Sequence, residues 1–220
     1  MEDTGSRRPL RVRNAIFSQR IARRLSHMNI TPNQISIASI LFAALAAFFL
    51  HMLPAVSGSG KWLLPILAAA SIQCRLLCNL FDGMVAVEGG KATPSGELFN
   101  DIPDRVADPI ILIAVGYSTT VVDWSTTLGW LAGLMAVMTA YVRTLAKSIG
   151  APTDFQGPMA KQQRMALLTG ACLLTPFEGL LAHQGYVLFL SLIVIVAGCF
   201  ATMYRRLKAA YLFLEKKTYV

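Results

Sequence analysis

The sequence predicts an all-α membrane protein: six transmembrane helices preceded by an N-terminal amphipathic surface helix. Three observations carry this reading. Of 220 residues, 55% are hydrophobic and only 15% charged, whereas an ordinary soluble domain has about 25% charged residues. The apolar stretches approach the roughly 20 residues that a spanning helix needs, and about six of them use most of the chain. The basic residues gather between alternate stretches. With both termini on the cytoplasmic side, 17 of the 20 Lys and Arg lie inside; Lys61 is outside, and Arg75 and Arg105 fall within helices. That distribution satisfies the positive-inside rule for six spans, and the inner (cytoplasmic) membrane is the expected location. The formal charge of +8 therefore reports topology first, and no nucleic-acid partner is implied.

Residues 1–13 read as a basic tail with no continuous apolar segment, so a cleaved signal peptide is not expected. Residues 14–30 form a juxtamembrane amphipathic helix. Phe17, Ile21 and Leu25 recur every four residues beside Arg20, Arg23 and Arg24, a pattern that suits a helix lying on anionic membrane lipids. Residues 31–220 form the six-helix domain. Thr31 can cap and Pro32 can take the first helical position, opening a first span over about 35–53. Pro54 and Ser57-Gly-Ser-Gly60 end it. The second span covers about 62–87, and a Gly-rich connector leads to a third over about 97–117, which Pro103 and Pro109 should kink. Spans four (about 125–146), five (about 165–181) and six (about 186–207) follow, the last running on into the basic C-terminal segment. Cys74, Cys78, Cys172 and Cys199 sit in apolar stretches and read as packing residues. His27, His51 and His183 stand alone near span borders.

The main anomaly is acidic. Asp82, Glu88, Glu97, Asp101, Asp104 and Asp108 are six of the twelve acids, and they fall where spans two and three meet. A carboxylate costs about 2.5 to 3.5 kcal/mol at the centre of an inserted helix, so such a cluster needs metal, basic partners or water. Arg75, Asn79, Asp82 and Ala86 lie at helical steps of three and four, as Gly96, Asn100, Asp104 and Asp108 lie at steps of four. Helices joined by a short loop are antiparallel neighbours, so the two faces can oppose each other. The resulting site of carboxylate and carboxamide oxygens suits Mg²⁺, Mn²⁺ or Ca²⁺ better than zinc. Gly83 and Ala86 leave room beside Asp82 for a ligand. Asp101 and Arg105 fall on another face as an ion pair. Arg75 either meets donor phosphate or neutralises carboxylates. Arg143, Lys147, Lys161 and Arg164 are most simply topology markers, and otherwise an anionic pocket for an acceptor phosphate or headgroup.

The order Asn79-x-x-Asp82-Gly83-x-x-Ala86, Gly96, Asn100-x-x-x-Asp104 resembles the signature of the CDP-alcohol phosphatidyltransferase family, D-x-x-D-G-x-x-A-R-x8-G-x3-D-x3-D. The resemblance extends to the six-span layout, the surface helix and the Thr-Pro-Asn opening of the first span. Asn79 and Asn100 stand where the family has aspartates, and Val87 where it has arginine. A gapped alignment would make Asp104 and Asp108 the final pair; the ungapped one needs no insertion and leaves Asp108 as an extra carboxylate.

The resemblance implies phospholipid biosynthesis: transfer of a phosphatidyl or phospho-alcohol group from CDP-diacylglycerol or a CDP-alcohol to an alcohol acceptor, with release of CMP. It implies Mg²⁺ or Mn²⁺ on Asp82, Asp104, Asp108, Asn79 and Asn100, with Asp104 as base and Asp108 second. Gly83, Ala86, Gly96 and Arg75 would line the donor, and the chain would form a homodimer. From other classes, a cation- or proton-coupled transporter could use the same acids, or a family member could have weakened catalysis. A transporter would more often show repeats or broken helices in both halves, whereas these acids lie in one hairpin, Glu178 excepted.

Overall fold

A computed structural model describes residues 16–91, 93–152, 157–181 and 185–218. The basic tail over 1–13 and the first two residues of the expected juxtamembrane helix lie outside them. The described helices are α1 (Ile16–His27), α2 (Pro32–Met52), α3 (Gly60–Glu88), α4 (Gly96–Ser118), α5 (Ser125–Ser148), α6 (Lys161–Leu174) and α7 (Tyr186–Thr218), with 3₁₀ turns over Leu53–Ala55 and Thr175–Leu181. No strand occurs among the described residues.

The start of α2 has the predicted chemistry. The Thr31 hydroxyl accepts the Gln34 N–H while the Gln34 side chain accepts the Thr31 N–H, a reciprocal pair that satisfies two end groups; Pro32 occupies the first turn. Four helical segments are long and apolar enough to cross a membrane: Pro32–Ala55, Gly60–Val87, Ser125–Ser148 and Tyr186–Lys216. The chain is an integral membrane protein on that ground. α4 and α6 do not meet the criterion. Asp101, Asp104, Arg105 and Asp108 interrupt α4, and α6 is only 14 residues long before its 3₁₀ turn. α4 nevertheless continues through Pro103 and Pro109. Its polar side faces inward, with Asp104, Ala107, Asp108 and Ile111 buried and Leu98, Ile102 and Val106 exposed on the other flank.

The helix order around the bundle differs from the hairpin expected of spans two and three. α2 packs extensively against both α3 and α4, while α3 and α4 touch each other little. The physical reason is the inner face of α2. Ser36, Ser39, Ala43 and Ala46 are all buried, and such small side chains let a helix approach two neighbours closely. The polar residues of α3 and α4 must therefore reach across a gap. α1 packs on the end of α3, where Ala22 clusters with Leu80, Phe81, Met84 and Val85 and Lys91 Nζ donates to the Ser26 carbonyl at 2.8 Å.

At the opposite end, aromatic pairs Trp62–Phe177, Trp124–Phe189 and His51–Tyr117 tie the helix ends together, as suits a membrane interface. Buried Glu178 accepts the N–H groups of Gly185, at 2.9 Å, and Val187. It thereby caps the start of α7, which accounts for an acid far from the cluster.

α4 and α5 cross at glycine. A Cβ on Gly129 would stand 2.8 Å from Gly116 Cα and 3.0 Å from the Leu112 carbonyl oxygen, and backbone atoms cannot yield. Gly129→Val should therefore destabilise the protein by about 1 to 3 kcal/mol. Gly170→Ala is the control, because a Cβ there meets nothing within 4 Å and alanine favours the helix by about 1 kcal/mol. Thermal unfolding in detergent checks both; equal melting temperatures for the two variants would contradict the crossing.

Candidate active site

Two acids of α4 lie on one side of the α3–α4 gap and two polar residues of α3 lie on the other. Arg75 Nη2 stands 2.8 Å from Asp104 Oδ1 and 2.6 Å from Asp108 Oδ1. Asn79 Nδ2 donates to Asp104 Oδ1 at 2.7 Å. The one-turn spacing of Arg75 and Asn79 on α3 matches that of Asp104 and Asp108 on α4, so the helices meet through charge where they do not meet through packing. Of the two roles open to Arg75, neutralising carboxylates is the one its position serves. It has no exposed surface. Its Nε and Nη1 have no hydrogen-bond partner among the described residues, an unusual condition for buried donors.

The beginning of α6 completes the charge set. Lys161 Nζ lies 2.5 Å from Asp104 Oδ2, and Arg164 Nη2 lies 2.7 Å from Asp108 Oδ2. The simplest sequence reading, that Lys161 and Arg164 mark topology, is corrected here. Both are one turn apart on the inner face of α6, and a cation on that face must meet the buried acids or remain unpaired. Arg164 is also fixed by its Nη1, which donates to the Met159 carbonyl at 3.0 Å and the Thr139 hydroxyl at 3.2 Å. Arg206 of α7 donates to the Thr139 carbonyl at 2.5 Å, and the Thr202 hydroxyl accepts the Met159 N–H at 3.0 Å. These contacts anchor the start of α6 to α5 and α7.

Asp82 differs from the other two acids. It is 2% exposed, yet it makes no ion pair among the described residues. Its Oδ2 accepts the Ser36 hydroxyl of α2 at 2.7 Å, and its Oδ1 accepts the Gly83 N–H at 2.5 Å. Lys161 is close enough for its charge to act on Asp82, but its ammonium is bonded to Asp104. Ser36 was not singled out from sequence; its 46-residue separation from Asp82 left no local signal beyond a serine in the first turns of the span.

The remaining expected site residues are less central. Gly83 and Ala86 are half-buried beside Asp82 and Gly96 is half-buried at the start of α4, while Asn100 is exposed and makes no hydrogen bond to the acids. Val87 points outward, 55% exposed. Asp101 and Arg105 form the expected ion pair at 2.7 Å, and Arg143 joins it at 3.1 Å.

No three His, Cys, Asp or Glu side chains converge on one point among the described residues, which therefore form no all-protein metal cage. Magnesium-like ions are commonly held by one or two carboxylates plus substrate phosphates, and Asp82 is a buried carboxylate without a counter-cation. Asp82 fits such an ion, with ligand oxygens completing the shell.

Fold and site together define a helical integral membrane protein with three buried acids at one end of its bundle, set among two buried arginines and the partly exposed Lys161. The fold is similar to the crystal structure of Mycobacterium tuberculosis phosphatidylinositol phosphate synthase with CDP-DAG bound, with a TM-score of 0.73 and 17% identity, covering 90% of this chain and 94% of that one. A structure of the same enzyme in complex with manganese and citrate gives a TM-score of 0.72 and 17% identity, covering 88% of each chain. In sequence the chain is similar to archaetidylinositol phosphate synthase of Pyrococcus horikoshii, 26% identical over 150 residues, which are 68% of this chain and 73% of that protein. No family model matches the chain. The structural likenesses show that the chain shares the fold of the Mycobacterium tuberculosis synthase.

Removing one partner from a buried ion pair costs about 3 to 5 kcal/mol, because the other charge is left uncompensated. Arg164→Met should lower stability by that order, and adding Asp108→Asn should restore part of it. A double-mutant cycle by thermal unfolding measures the coupling; strictly additive losses would show that the pair is not coupled.

Proposed function

We propose that the protein is a phospholipid-synthesis transferase of the CDP-alcohol phosphatidyltransferase type. It moves a phosphatidyl group from a CDP-linked donor such as CDP-diacylglycerol to an alcohol acceptor and releases CMP. The observation that carries the proposal is the state of Asp82: a buried carboxylate that makes no ion pair among the described residues, near a second acid, Asp104, whose partner Lys161 is partly exposed. The Mycobacterium tuberculosis synthase has CDP-DAG bound in one solved structure and is in complex with manganese and citrate in the other, and this site fits the same class of reactants. The proposal includes Mg²⁺ or Mn²⁺ as cofactor, held by Asp82 and Asp104. When bound, that ion supplies positive charge to the donor pyrophosphate as CMP leaves.

The chain's own residues do the remaining work. Ser36 and the Gly83 N–H hold Asp82 in one orientation. Asp104 takes the proton of the acceptor hydroxyl on the Oδ2 lone pair that a bound metal would leave open, since Arg75 and Asn79 already occupy Oδ1. The acceptor oxygen then bonds to the phosphorus that stays with the lipid, and the bond from that phosphorus to the CMP oxygen breaks. Asp108 is clamped between Arg75 and Arg164, which makes it a positioning residue and leaves Asp104 as the base. Asn79 meets Asp104 through its amide nitrogen, the donor end, so it orients the base. In the same proposal α4 and α6 complete six spans, with Leu98, Ile102 and Val106 as the lipid face of α4. α1 lies on the membrane surface, and the site end of the bundle, with both termini, faces the cytoplasm.

Purified protein given CDP-diacylglycerol, Mg²⁺ or Mn²⁺ and pooled alcohols, inositol phosphate included, should release CMP and yield a new phospholipid by mass spectrometry. Asp104→Asn should lower turnover by about 100-fold or more, the size expected for losing a general base. Asp108→Asn should cost stability first. No CMP release across the panel, or full turnover by Asp104→Asn, would contradict the proposal.

A further inference from the structure

The three cations of the site are not equivalent. The side chains of Arg75 and Arg164 are 0% and 3% exposed, while that of Lys161 is 29% exposed. Lys161 is also the first residue of α6, so its long stem can swing outward without disturbing the helix. Its partner has little choice. Asp104 Oδ1 already receives Arg75 Nη2 and Asn79 Nδ2 at 2.8 and 2.7 Å. Oδ2 is the oxygen left for a metal ion or an acceptor proton, and Lys161 Nζ stands on it at 2.5 Å.

An ammonium in hydrogen-bond contact and a divalent cation compete for that oxygen: each draws on the same negative charge, and the two positive charges repel at such range. The charge arithmetic agrees. Arg75 and Arg164 balance Asp104 and Asp108, Lys161 is the third positive charge, and Asp82 is the acid without an ion pair. We propose that Lys161 is a built-in counter-ion that competes with the divalent cation for Asp104, so that it weakens metal binding and must leave Oδ2 before Asp104 can act. This rests on the reading above that Asp82 and Asp104 take a metal. It also reverses the simple expectation for an active-site lysine, whose removal would be expected only to harm the site.

The test is Mn²⁺ binding by full-length protein in detergent with CDP-diacylglycerol present, read from the loss of the free-ion electron paramagnetic resonance signal beyond that caused by the donor alone. Lys161→Met should bind Mn²⁺ about tenfold or more tightly than the unsubstituted protein. Lys161→Arg, which keeps the charge, should bind like the unsubstituted protein. Added Mn²⁺ should raise the melting temperature of Lys161→Met by more than it raises that of the unsubstituted protein, a readout independent of turnover. Asp82→Asn separates the two ideas. If Asp82→Asn weakens Mn²⁺ binding but Lys161→Met binds no more tightly than the unsubstituted protein, the competition is overturned and the metal reading stands. If neither the unsubstituted protein nor Lys161→Met binds Mn²⁺, both are overturned. If only Lys161→Met binds, the competition is supported in its strongest form.

Discussion

Arg75 is an arginine with no exposed surface, set in a membrane helix between two aspartates of another helix. The arrangement at this end of the bundle depends on it. α3 and α4 have little packing to hold them together because α2 stands against both, and the guanidinium spans the gap that remains. Burying an ion pair costs several kcal/mol per charge, and good geometry with extra hydrogen bonds only offsets that cost. Such a network is weak evidence for stability but strong evidence for use. The unpartnered Nε and Nη1 of Arg75 point the same way, since a purely structural arginine would be expected to find acceptors for them.

From this constraint the roles of the acids separate. Asp108 is the most fully paired, with a cation on each side, and its contacts tie α3, α4 and α6 together. Asp104 has one oxygen committed to α3 and one facing the rim, where Lys161 meets it. Asp82 has only neutral donors, Ser36 and the Gly83 N–H. A graded series results, from a fully compensated acid to an uncompensated one. It turns a cluster of like charges into a site with a fixed side and a reactive side.

Part of this was legible in the sequence. The steps of three and four put Arg75, Asn79 and Asp82 on one face, and the acids of α4 on another, because helical periodicity is local. The α2 cap was legible because Thr31, Pro32 and Gln34 are adjacent. The insertion of α2 between α3 and α4 was not, since a short connector suggests direct neighbours and nothing local reveals how closely Ser36, Ser39, Ala43 and Ala46 admit them. Lys161 and Arg164 lie 57 and 56 residues from their acids, and a basic residue near a membrane border is usually explained by topology. The distinguishing signal was their one-turn spacing, which sets both on the face that α6 turns inward. Ser36 gave no comparable signal.

Arg75 joins α3 and α4, and on the proposed function Asp82 is left for a cation. The most direct measurement is an experimental structure of the protein with Mn²⁺ and CDP-diacylglycerol, with anomalous scattering used to place the metal. The account predicts a manganese peak at ligand distance from Asp82 and Asp104, with Lys161 off Asp104 and Arg75 still bridging Asp104 and Asp108. A manganese peak remote from Asp82, or an Arg75 side chain withdrawn from the gap between α3 and α4, would contradict it.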